Sequence, residues 1–237
     1  MHYLELTLPT IEENLALDEA LLLQAERGEG GAVLRCWEID RPAVVVGMNG
    51  VLASEVRLDV CRGDDIPVAR RCSGGGAVVL APGSLVFALV LPVNEGSVLA
   101  VREAVLSILG ALAQALRAWG VETYPAGSSD LVWQGRKVSG NSQRRLRRYF
   151  LHHGTLLYNF DVELAERYLP LPPRTPAYRQ GRGHREFLAN LPLPRQNLLA
   201  CLRQAYAAQT PRSDWPATLV EDLVRERYAC RDWLKRR

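Results

Sequence analysis

The sequence predicts a single α+β domain with a central, mostly antiparallel or mixed β-sheet and helices packed on it. Three observations lead to this fold class. Strand-like apolar runs dominate the middle of the chain, most neighbouring runs are joined by short turns, and segments with helical periodicity flank them. Short connections favour antiparallel pairing, because a parallel pair needs a long crossover.

The elements of the N-terminal half alternate between helical and β-type patterns. Residues 11–27 carry apolar side chains at helical spacing and end before a glycine, which predicts an amphipathic helix. Residues 32–38 and 42–48 are β-rich runs joined by a short turn, which predicts a strand pair. The other elements of this half are a short helix at 53–62 and strands at 66–71, 77–80 and 84–92.

The C-terminal half predicts a long helix, a hairpin and a helical end. Residues 95–120 have helical periodicity with a glycine stop, and strands at 130–143 and 147–160 predict a hairpin around "RRLRR". The last elements are a helix at 161–169, a proline-rich connector up to residue 194 and helices near 197–208 and 217–229. The 43 residues after the connector, 195–237, are too few to stand alone. We therefore expect one domain over 1–237, in which 170–237 form the connector and a helical C-terminal appendage.

Composition narrows the class of protein. No apolar run approaches the ~18 residues that a membrane span needs, and the acidic N-terminus lacks the basic start of a signal peptide. Five cysteines, an odd number without CxxC spacing, indicate free thiols in a reducing cytoplasm rather than a zinc site. A net charge of +3 is too small to imply nucleic acid. We expect a cytoplasmic protein that binds neither membrane nor nucleic acid.

The interior lysine Lys137 stands out against the composition. The chain has 27 arginines but only two lysines, Lys137 and the near-terminal Lys235. An ammonium is a compact point charge, whereas a guanidinium is a broad planar fork. In a chain this rich in arginine, we expect arginine wherever a solvated positive charge is enough. Lys137 is therefore a candidate for contact with a phosphate or carboxylate oxygen in a narrow site. The alternative interpretation is chance.

A glycine-rich segment, "RRCSGGGAVVL" at 70–80, is a second candidate. Three consecutive glycines between two strands let a ligand approach the backbone and direct several N–H groups at an anion. Arg70 and Arg71 add positive charge just before them. The segment matches neither GxGxxG nor a P-loop, and a flexible hairpin is the alternative interpretation.

Two further segments have weaker functional patterns. Adjacent His152 and His153 on a strand point to opposite faces, so we expect one buried, hydrogen-bonded histidine and one exposed histidine rather than a metal site. The basic segment 144–148 lacks interleaved aromatic residues. It is therefore more typical of a solvated hairpin tip, or of a docking site for an acidic partner, than of nucleic-acid binding.

Three motifs in order resemble the lipoate–protein ligase family, which shares its catalytic fold with biotin–protein ligases. They are "RRCSGGGAV", "SDLVWQGRKVSGNSQRR" and "HHGTLL", and the resemblance spans roughly residues 10–190. The segments "NLALDEALL", "LRCWEIDRPAVVVGMN" and "YRQGRGHREFLANL" are similar to a small-ligase branch without the large C-terminal accessory domain. The resemblance implies the biotin/lipoate ligase catalytic-domain fold.

The resemblance also implies a reaction: ATP-dependent activation of lipoate to lipoyl-AMP, then transfer to a lysine of an acceptor protein. Lys137 matches the family's catalytic lysine, and Asp130 matches an acidic residue that can hold Mg²⁺. The implied nucleotide- and lipoate-binding residues are Arg70, Arg71, Ser73, Gly74, Gly75, Gly76, Ala77, Val78, Val79, Lys137, Ser139, Gly140, His153, Gly154 and Thr155. The implied partners are lipoate, ATP and an acidic lipoyl domain or glycine-cleavage H-like protein, with the need for a separate accessory subunit left open.

The sequence departs from the family pattern at two places and leaves alternatives open. Ser129 replaces the asparagine of an "NDL" motif, and residues 79–81 replace an aromatic-His-Asp sequence. The closest alternative is an octanoyl or lipoyl transferase that works through a cysteine thioester without ATP. No cysteine occurs between Cys72 and Cys201, so the two positions where such transferases carry it, one of them Phe150, lack a thiol. We interpret Cys72 as a small buried hydrophobic residue; biotin ligation and a non-catalytic lipoyl-binding module are weaker alternatives.

Overall fold

The structure, a computed structural model, describes residues 1–93, 101–172 and 174–236. The strands in these ranges are β1 (His2–Glu5), β2 (Val33–Trp37), β3 (Ala43–Val46), β4 (Val68–Arg70), β5 (Val78–Leu80), β6 (Ser84–Pro92), β7 (Thr123–Ala126), β8 (Asp130–Trp133), β9 (Arg136–Arg145), β10 (Tyr149–Leu157) and β11 (Thr210–Pro211). The helices are α1 (Ile11–Arg27), α2 (Leu52–Glu55), α3 (Leu58–Gly63), α4 (Val101–Arg117), α5 (Val162–Tyr168), α6 (His184–Phe187), α7 (Arg195–Ala205), α8 (Ala217–Leu223) and α9 (Arg231–Lys235). A 3₁₀ turn at Ala177–Arg179 and a π-helical turn at Val224–Tyr228 complete them.

Two sheets organise these elements. The larger has eight strands in the order β11-β1-β2-β6-β10-β9-β8-β7, and the smaller has three in the order β4-β3-β5. In the larger sheet the β11–β1 and β1–β2 pairings are parallel, and every pairing from β2 to β7 is antiparallel. The predicted α+β class with a mostly antiparallel, mixed sheet is confirmed.

Helices bury the larger sheet on both faces. In β6, Leu85, Phe87 and Leu89 point towards the core that α4 and α7 cover, while Val86 and Ala88 point towards the core that α1 and α8 cover. A strand buried on both faces has a continuous apolar sequence instead of an alternating one. This explains why residues 84–92 predict a strand so clearly.

The predicted strand pair of residues 32–38 and 42–48 is wrong. β2 pairs with β1 and β6 in the larger sheet, whereas β3 pairs with β4 and β5 in the smaller sheet. Both strands are buried throughout. A continuous apolar run indicates burial, but it does not specify which strand will lie beside it.

The predicted strand at 130–143 is two strands, β8 and β9. They are joined at Gln134 and Gly135, whose φ angles are 49° and 74°. Two successive positive φ angles give the tight hairpin turn that matches the twist of antiparallel strands. The turn folds Asp130 back onto the strand that carries Lys137, in a register that pairs Asp130 with Gly140. The predicted hairpin around residues 144–148 is confirmed by β9 and β10.

The predicted helices begin and end close to their observed positions, with two differences. Helix α1 begins with a capping box between Thr10 and Glu13 and ends at Gly28, which has a φ of 81°. The predicted helix at 53–62 is broken into α2 and α3, and the predicted helix at 217–229 changes from α8 to the π-helical turn. The predicted start of the long helix at 95 lies outside the described residues, which show it as α4.

The C-terminal elements pack against the rest of the chain. β11 pairs with β1, α7 packs on α4, and α8 packs on α1. The interpretation of residues 170–237 as an appendage of one domain stays a prediction. Within the described ranges, every helix is too short or too polar to cross a membrane.

Candidate functional site

A cleft of about 460 Å³ lies where the glycine-rich segment meets β9, β10 and the connector. Gly75 and Lys137, which we expected to meet at one cleft, both line it. The predicted site residues in its lining are Arg71, Gly75, Gly76, Ala77, Val78, Val79, Asp130, Lys137, Ser139, Gly140, His153, Gly154 and Thr155. The other predicted residues, Arg70, Ser73 and Gly74, lie outside the lining.

Lys137 is held in the cleft by Asp130. Its Nζ lies 2.7 Å from Asp130 Oδ1, and the other carboxylate oxygen, Oδ2, accepts a hydrogen bond from the Tyr178 hydroxyl at 2.7 Å. Burial, together with the nearby carboxylate, raises the pKa of Tyr178, so this hydroxyl stays a donor at neutral pH. The Lys137 side chain is 25% exposed. An ammonium has three N–H donors, and Asp130 takes only one of them in this geometry.

The glycine-rich loop presents free backbone donors to the cleft. Gly75, with a φ of 86°, is exposed like Gly76, and the N–H groups of both donate to no described residue. Beneath them, a Cβ at Gly47 would lie 2.0 Å from the Gly75 carbonyl oxygen, so that position must be glycine. The Ala77 N–H, which we also predicted as a ligand contact, donates instead to Glu55 Oε2 at 2.9 Å.

Arg71 shapes the loop from below. Its Nε donates to Ser73 Oγ at 3.1 Å, and its Nη2 donates to the carbonyl oxygens of Gly74 and Gly76, the latter at 3.0 Å. Burial lowers the pKa of Arg71 to about 10, so it remains a cation at pH 7. Its guanidinium therefore supplies fixed positive charge under the loop while holding the loop carbonyls away from an incoming anion.

Arg70 is placed differently from the sequence prediction. Its Nη1 donates to the carbonyl oxygens of Gly47 and Gly50 at 2.6 and 2.9 Å, and its Nη2 donates to the Leu234 carbonyl oxygen at 2.7 Å. The Trp233 indole N–H donates in turn to the Arg70 carbonyl oxygen at 2.9 Å. Successive residues of a strand point to opposite sides, so of Arg70 and Arg71 only one can line the cleft. Arg70 instead joins the loop after β3 to α9.

His152 and His153 point to opposite faces as predicted, but the prediction that one is exposed is wrong. β10 lies between β6 and β9 in the middle of the larger sheet, so both sides of the strand are covered. His152 lies 3.3 Å from Asn141 Oδ1, and burial lowers its pKa to about 3, so it is neutral. His153 lines the cleft, with Nε2 2.5 Å from Ser73 Oγ and Nδ1 3.5 Å from Asp18 Oδ2.

The connector forms a wall of the cleft that the sequence did not predict. Two hydrogen bonds fix the connector beside Lys137. The Ala189 N–H donates to the Lys137 carbonyl oxygen at 2.9 Å, and the side-chain Nη2 of Arg182 donates to the Gly135 carbonyl oxygen at 3.0 Å. Its residues in the lining are Pro170, Pro172, Arg174, Thr175, Pro176, Arg179, His184, Phe187 and Leu188. The available signal was the segment "YRQGRGHREFLANL", in which three arginines and a histidine stand close together.

The remaining lining is apolar and defines what the cleft can hold. Leu15, Trp37, Val45 and Val86 come from elements that face the core between the larger sheet and α1. The cleft therefore combines an apolar part, an ammonium and two free backbone N–H groups. This combination fits a ligand with an apolar chain and an anionic head group.

Comparison with known proteins shows the family. Residues 10–193 match the family described as "Lipoyl protein ligase A/B catalytic domain". The chain belongs to this family. The match confirms the resemblance on the three motifs and covers the glycine-rich loop, β9, β10 and nearly all of the connector.

Relatives of this lipoyl protein ligase family member include two kinds of enzyme. A Mycoplasma pneumoniae protein named "Probable lipoate-protein ligase A" is 28% identical over 231 residues, covering 93% of this chain and 67% of the relative. "Octanoyltransferase LipM" of Carboxydothermus hydrogenoformans is also 28% identical, over 256 residues, covering 94% of both chains. The family thus establishes an enzyme of the lipoate ligase and octanoyltransferase group.

Solved structures of lipoate–protein ligases share the fold. A lipoate–protein ligase A bound with ATP superposes with a TM-score of 0.84 at 22% identity and covers 99% of both chains. A bi-partite lipoate protein ligase from Thermoplasma acidophilum, studied with its E2 lipoyl domain, also has a TM-score of 0.84 at 22% identity, covering 99% of this chain and 97% of that one. At this level of identity the likeness establishes the fold of this family member.

Proposed function

We propose that this protein is an ATP-dependent lipoate–protein ligase. In the proposed reaction it activates lipoate to lipoyl-AMP and transfers the lipoyl group to a lysine of an acceptor protein. The observation that carries the proposal is that the cleft brings an ammonium to an anion-binding loop while containing no thiol in its described lining.

The missing thiol argues against a thioester intermediate. Cys72 is the cysteine nearest in sequence to the predicted loop, but it is 2% exposed and lies outside the lining. Burial raises its pKa to about 11, so it is protonated at neutral pH. A thiol is a good nucleophile only as an accessible thiolate, and Cys72 is neither accessible nor ionised.

The residues in the cleft fit the first half of an adenylation reaction. A carboxylate oxygen of lipoate attacks the α-phosphorus of ATP, and the bond from that phosphorus to the leaving pyrophosphate oxygen breaks. The Lys137 ammonium is suited to contact both reacting anions and reduce their repulsion, and the N–H groups of Gly75 and Gly76 are suited to bind a phosphate oxygen. The apolar lining accommodates the lipoyl chain and keeps water from the mixed anhydride.

The second half needs only access for an amine. The acceptor lysine attacks the acyl carbon, the bond between that carbon and the phosphate oxygen breaks, AMP leaves, and the amine releases a proton. An acidic lipoyl domain or glycine-cleavage H-like protein is the proposed acceptor, in the cytoplasm. A separate accessory polypeptide is a further proposed partner, supported by the bi-partite relative.

Asp130 is the residue that fits Mg²⁺. No group of three or more His, Cys, Asp or Glu side chains that could bind a metal occurs in the described ranges. Mg²⁺ is often held by one or two carboxylates together with substrate phosphates, and Asp130 offers one carboxylate beside Lys137. When bound there, Mg²⁺ would neutralise phosphate charge.

A pair of assays separates the ligase from the transferase, which the match to an octanoyltransferase over 94% of both chains keeps as a second candidate. The isolated chain is incubated with lipoate and ATP, and pyrophosphate release is measured. Lipoate-dependent release by both wild type and Cys72→Ser supports the ligase. Modification of an acceptor from octanoyl-acyl carrier protein without ATP, abolished in Cys72→Ser, would overturn the proposal.

A further inference from the structure

Arg179, in the connector wall, has a buried donor without a hydrogen-bond partner in the described part of the chain. The residue is 4% exposed, and its guanidinium carbon lies 4.5 Å from the centre of the Phe187 ring. Its Nε donates to the Arg182 carbonyl oxygen at 2.9 Å. Its Nη2 is buried and has no hydrogen-bond partner among residues 1–93, 101–172 and 174–236. A buried donor without an acceptor is costly, so the position calls for an acceptor from outside the chain.

The neighbouring groups do not satisfy this guanidinium. The carboxylates of Glu166 and Asp130 are close enough to act on it electrostatically, yet each binds other donors in the described chain. Two nearby arginines differ in this respect. The guanidinium of Arg71, in the lining, donates to the carbonyl oxygens of Gly74 and Gly76, and that of Arg182, outside the lining, donates to those of Tyr178 and Arg179. Arg179 therefore combines a fixed orientation with unused donor capacity.

We propose that Arg179 binds a terminal phosphate of the nucleotide, the part that leaves as pyrophosphate; this inference rests on the proposed function. Arg179 lines the same cleft as Lys137. The adjacent Tyr178 donates to the carboxylate that holds Lys137, so the hydrogen bonds from Lys137 through Asp130 end at the residue next to Arg179. An ATP tail carries more negative charge than one ammonium can neutralise, and the guanidinium fork matches a phosphate in a bidentate manner.

The location of Arg179 favours a phosphate over the carboxylate of the acid substrate. Part of the apolar lining that suits an acyl chain comes from α1, β2, β3 and β6, with Leu15 and Trp37 among its members. The connector wall also has apolar members, such as Phe187 and Leu188, but it carries the exposed Arg174 together with Arg179. Arg174 and Arg179 thus place two cations on this wall, and the exposed Arg174 brings one of them to solvent, where a pyrophosphate can leave.

The test compares Arg179→Gln with Arg185→Gln. Arg185 belongs to the same segment but is exposed and lies outside the cleft lining, so its variant removes an equal charge as a control. Binding of ATP, AMP and lipoate is measured by calorimetry. We expect Arg179→Gln to weaken ATP binding roughly tenfold to a hundredfold, as for loss of a charge-assisted hydrogen bond. AMP and lipoate binding, and all binding by Arg185→Gln, should change by less than about twofold.

Three results of this comparison would overturn the inference. Unchanged ATP binding removes Arg179 from the phosphate site, equal losses for ATP and AMP place it on the α-phosphate, and loss of lipoate binding alone places it on the carboxylate. If wild type binds no ATP, the proposed ligase function fails. Inorganic tripolyphosphate then tests Arg179 separately: weaker binding by Arg179→Gln supports the anion site and equal binding overturns it.

A structural role for Arg179 has its own signature. An arginine that stabilises the fold would lower the thermal midpoint when replaced, whereas one kept for a ligand leaves it within a few degrees of wild type. A large fall in the midpoint of both Arg179→Gln and Arg179→Lys, without ligand, would overturn the inference. Arg179→Lys keeps the charge but loses the fork, so we expect its ATP affinity to lie between those of wild type and Arg179→Gln.

Discussion

Replacing Lys137 by arginine preserves the charge at the cleft and changes only its shape. In the structure Lys137 Nζ lies in a narrow space between Asp130 and Gly140. Asp130 Oδ1 is 2.7 Å away on one side, and a Cβ built on Gly140 would be 2.8 Å away on the other. An ammonium fits this space because it is compact, whereas a guanidinium adds a plane of further heavy atoms beyond the same stem. Arginine would still pair with Asp130, but it would occupy the space proposed for a substrate oxygen.

The expected effects on activity and stability differ in size. Removing a preorganised charge from developing anions typically costs on the order of 3 kcal/mol in the transition state, about a hundredfold or more in rate. The ion pair with Asp130 is partly solvated, and such a pair contributes about 1 kcal/mol or less to the free energy of unfolding. For a chain of this size that corresponds to a shift of about 2–4 °C at most in the thermal midpoint.

The assay is pyrophosphate release with saturating lipoate and ATP, beside a thermal melt of each variant. We expect Lys137→Arg and Lys137→Ala to lose adenylation about a hundredfold while folding normally. Gly140→Ala should also slow adenylation, because its methyl group would displace the flexible end of Lys137. The control is Lys235→Arg, which changes the chain's other lysine on α9. Near-normal activity of Lys137→Arg would refute the argument from shape, and near-normal activity of Lys137→Ala would refute a catalytic role.

Three other perturbations test separate features. Arg70→Met should lower the free energy of unfolding in urea by about 3 kcal/mol, since several carbonyl oxygens lose a charged donor, and it should expose α9 to proteolysis; unchanged stability would contradict the contacts of Arg70. Arg147→Glu with Arg148→Glu should slow acceptor modification more than pyrophosphate release, with a loss that shrinks in salt because both side chains are exposed; equal losses in both steps would place them in the cleft. Burial lowers the pKa of His152 to about 3, below the ordinary value of about 6.5, so between these values the unfolded chain binds the proton more readily than the folded chain. The contribution of neutral His152 to stability is therefore fully present above pH 6.5, and it falls by up to about 1.4 kcal/mol per pH unit as pH drops towards 3. His152→Gln should make the free energy of unfolding in urea less dependent on pH in this range. An unchanged slope would contradict a buried neutral His152.

Much of the fold follows from sequence patterns that report burial. The run at 84–92 became β6 with the predicted bounds, and α1 begins at its predicted residue because a capping box marks the start. Strand partners did not follow, as β2 and β3 show, because burial on two faces is compatible with several sheet orders. The short strands β1, β7 and β11 have too few residues to show a periodic pattern. Their formation depends on pairing with strands that cannot be identified from the sequence.

Sequence motifs identified candidate-site residues such as Gly75 and Lys137, whose residue type is unusual at its position. They did not identify Arg179, whose place in the cleft depends on contacts between distant parts of the chain. Gly75 and Lys137 meet in the cleft because the loop geometry requires glycine and β8 folds back at Gln134. Arg70 and Arg71 have the same chemistry, and only the strand register separates the structural one from the one in the lining. Arg179 lies about 40 residues from Lys137 in the sequence, so its approach depends on how the connector returns along β9.

The hydrogen bonds between Arg70 and α9 have a practical consequence for tagging the protein. The carbonyl of Leu234 and the indole of Trp233 bind Arg70, so α9 is hydrogen-bonded to the strand end just before the glycine-rich loop. We expect an affinity tag fused directly to α9 to disturb these hydrogen bonds and the loop beside them. Tagging or immobilising the protein there would then alter its measured kinetics. The opposite end is the safer handle, because β1 is anchored in the sheet far along the strand order from β9.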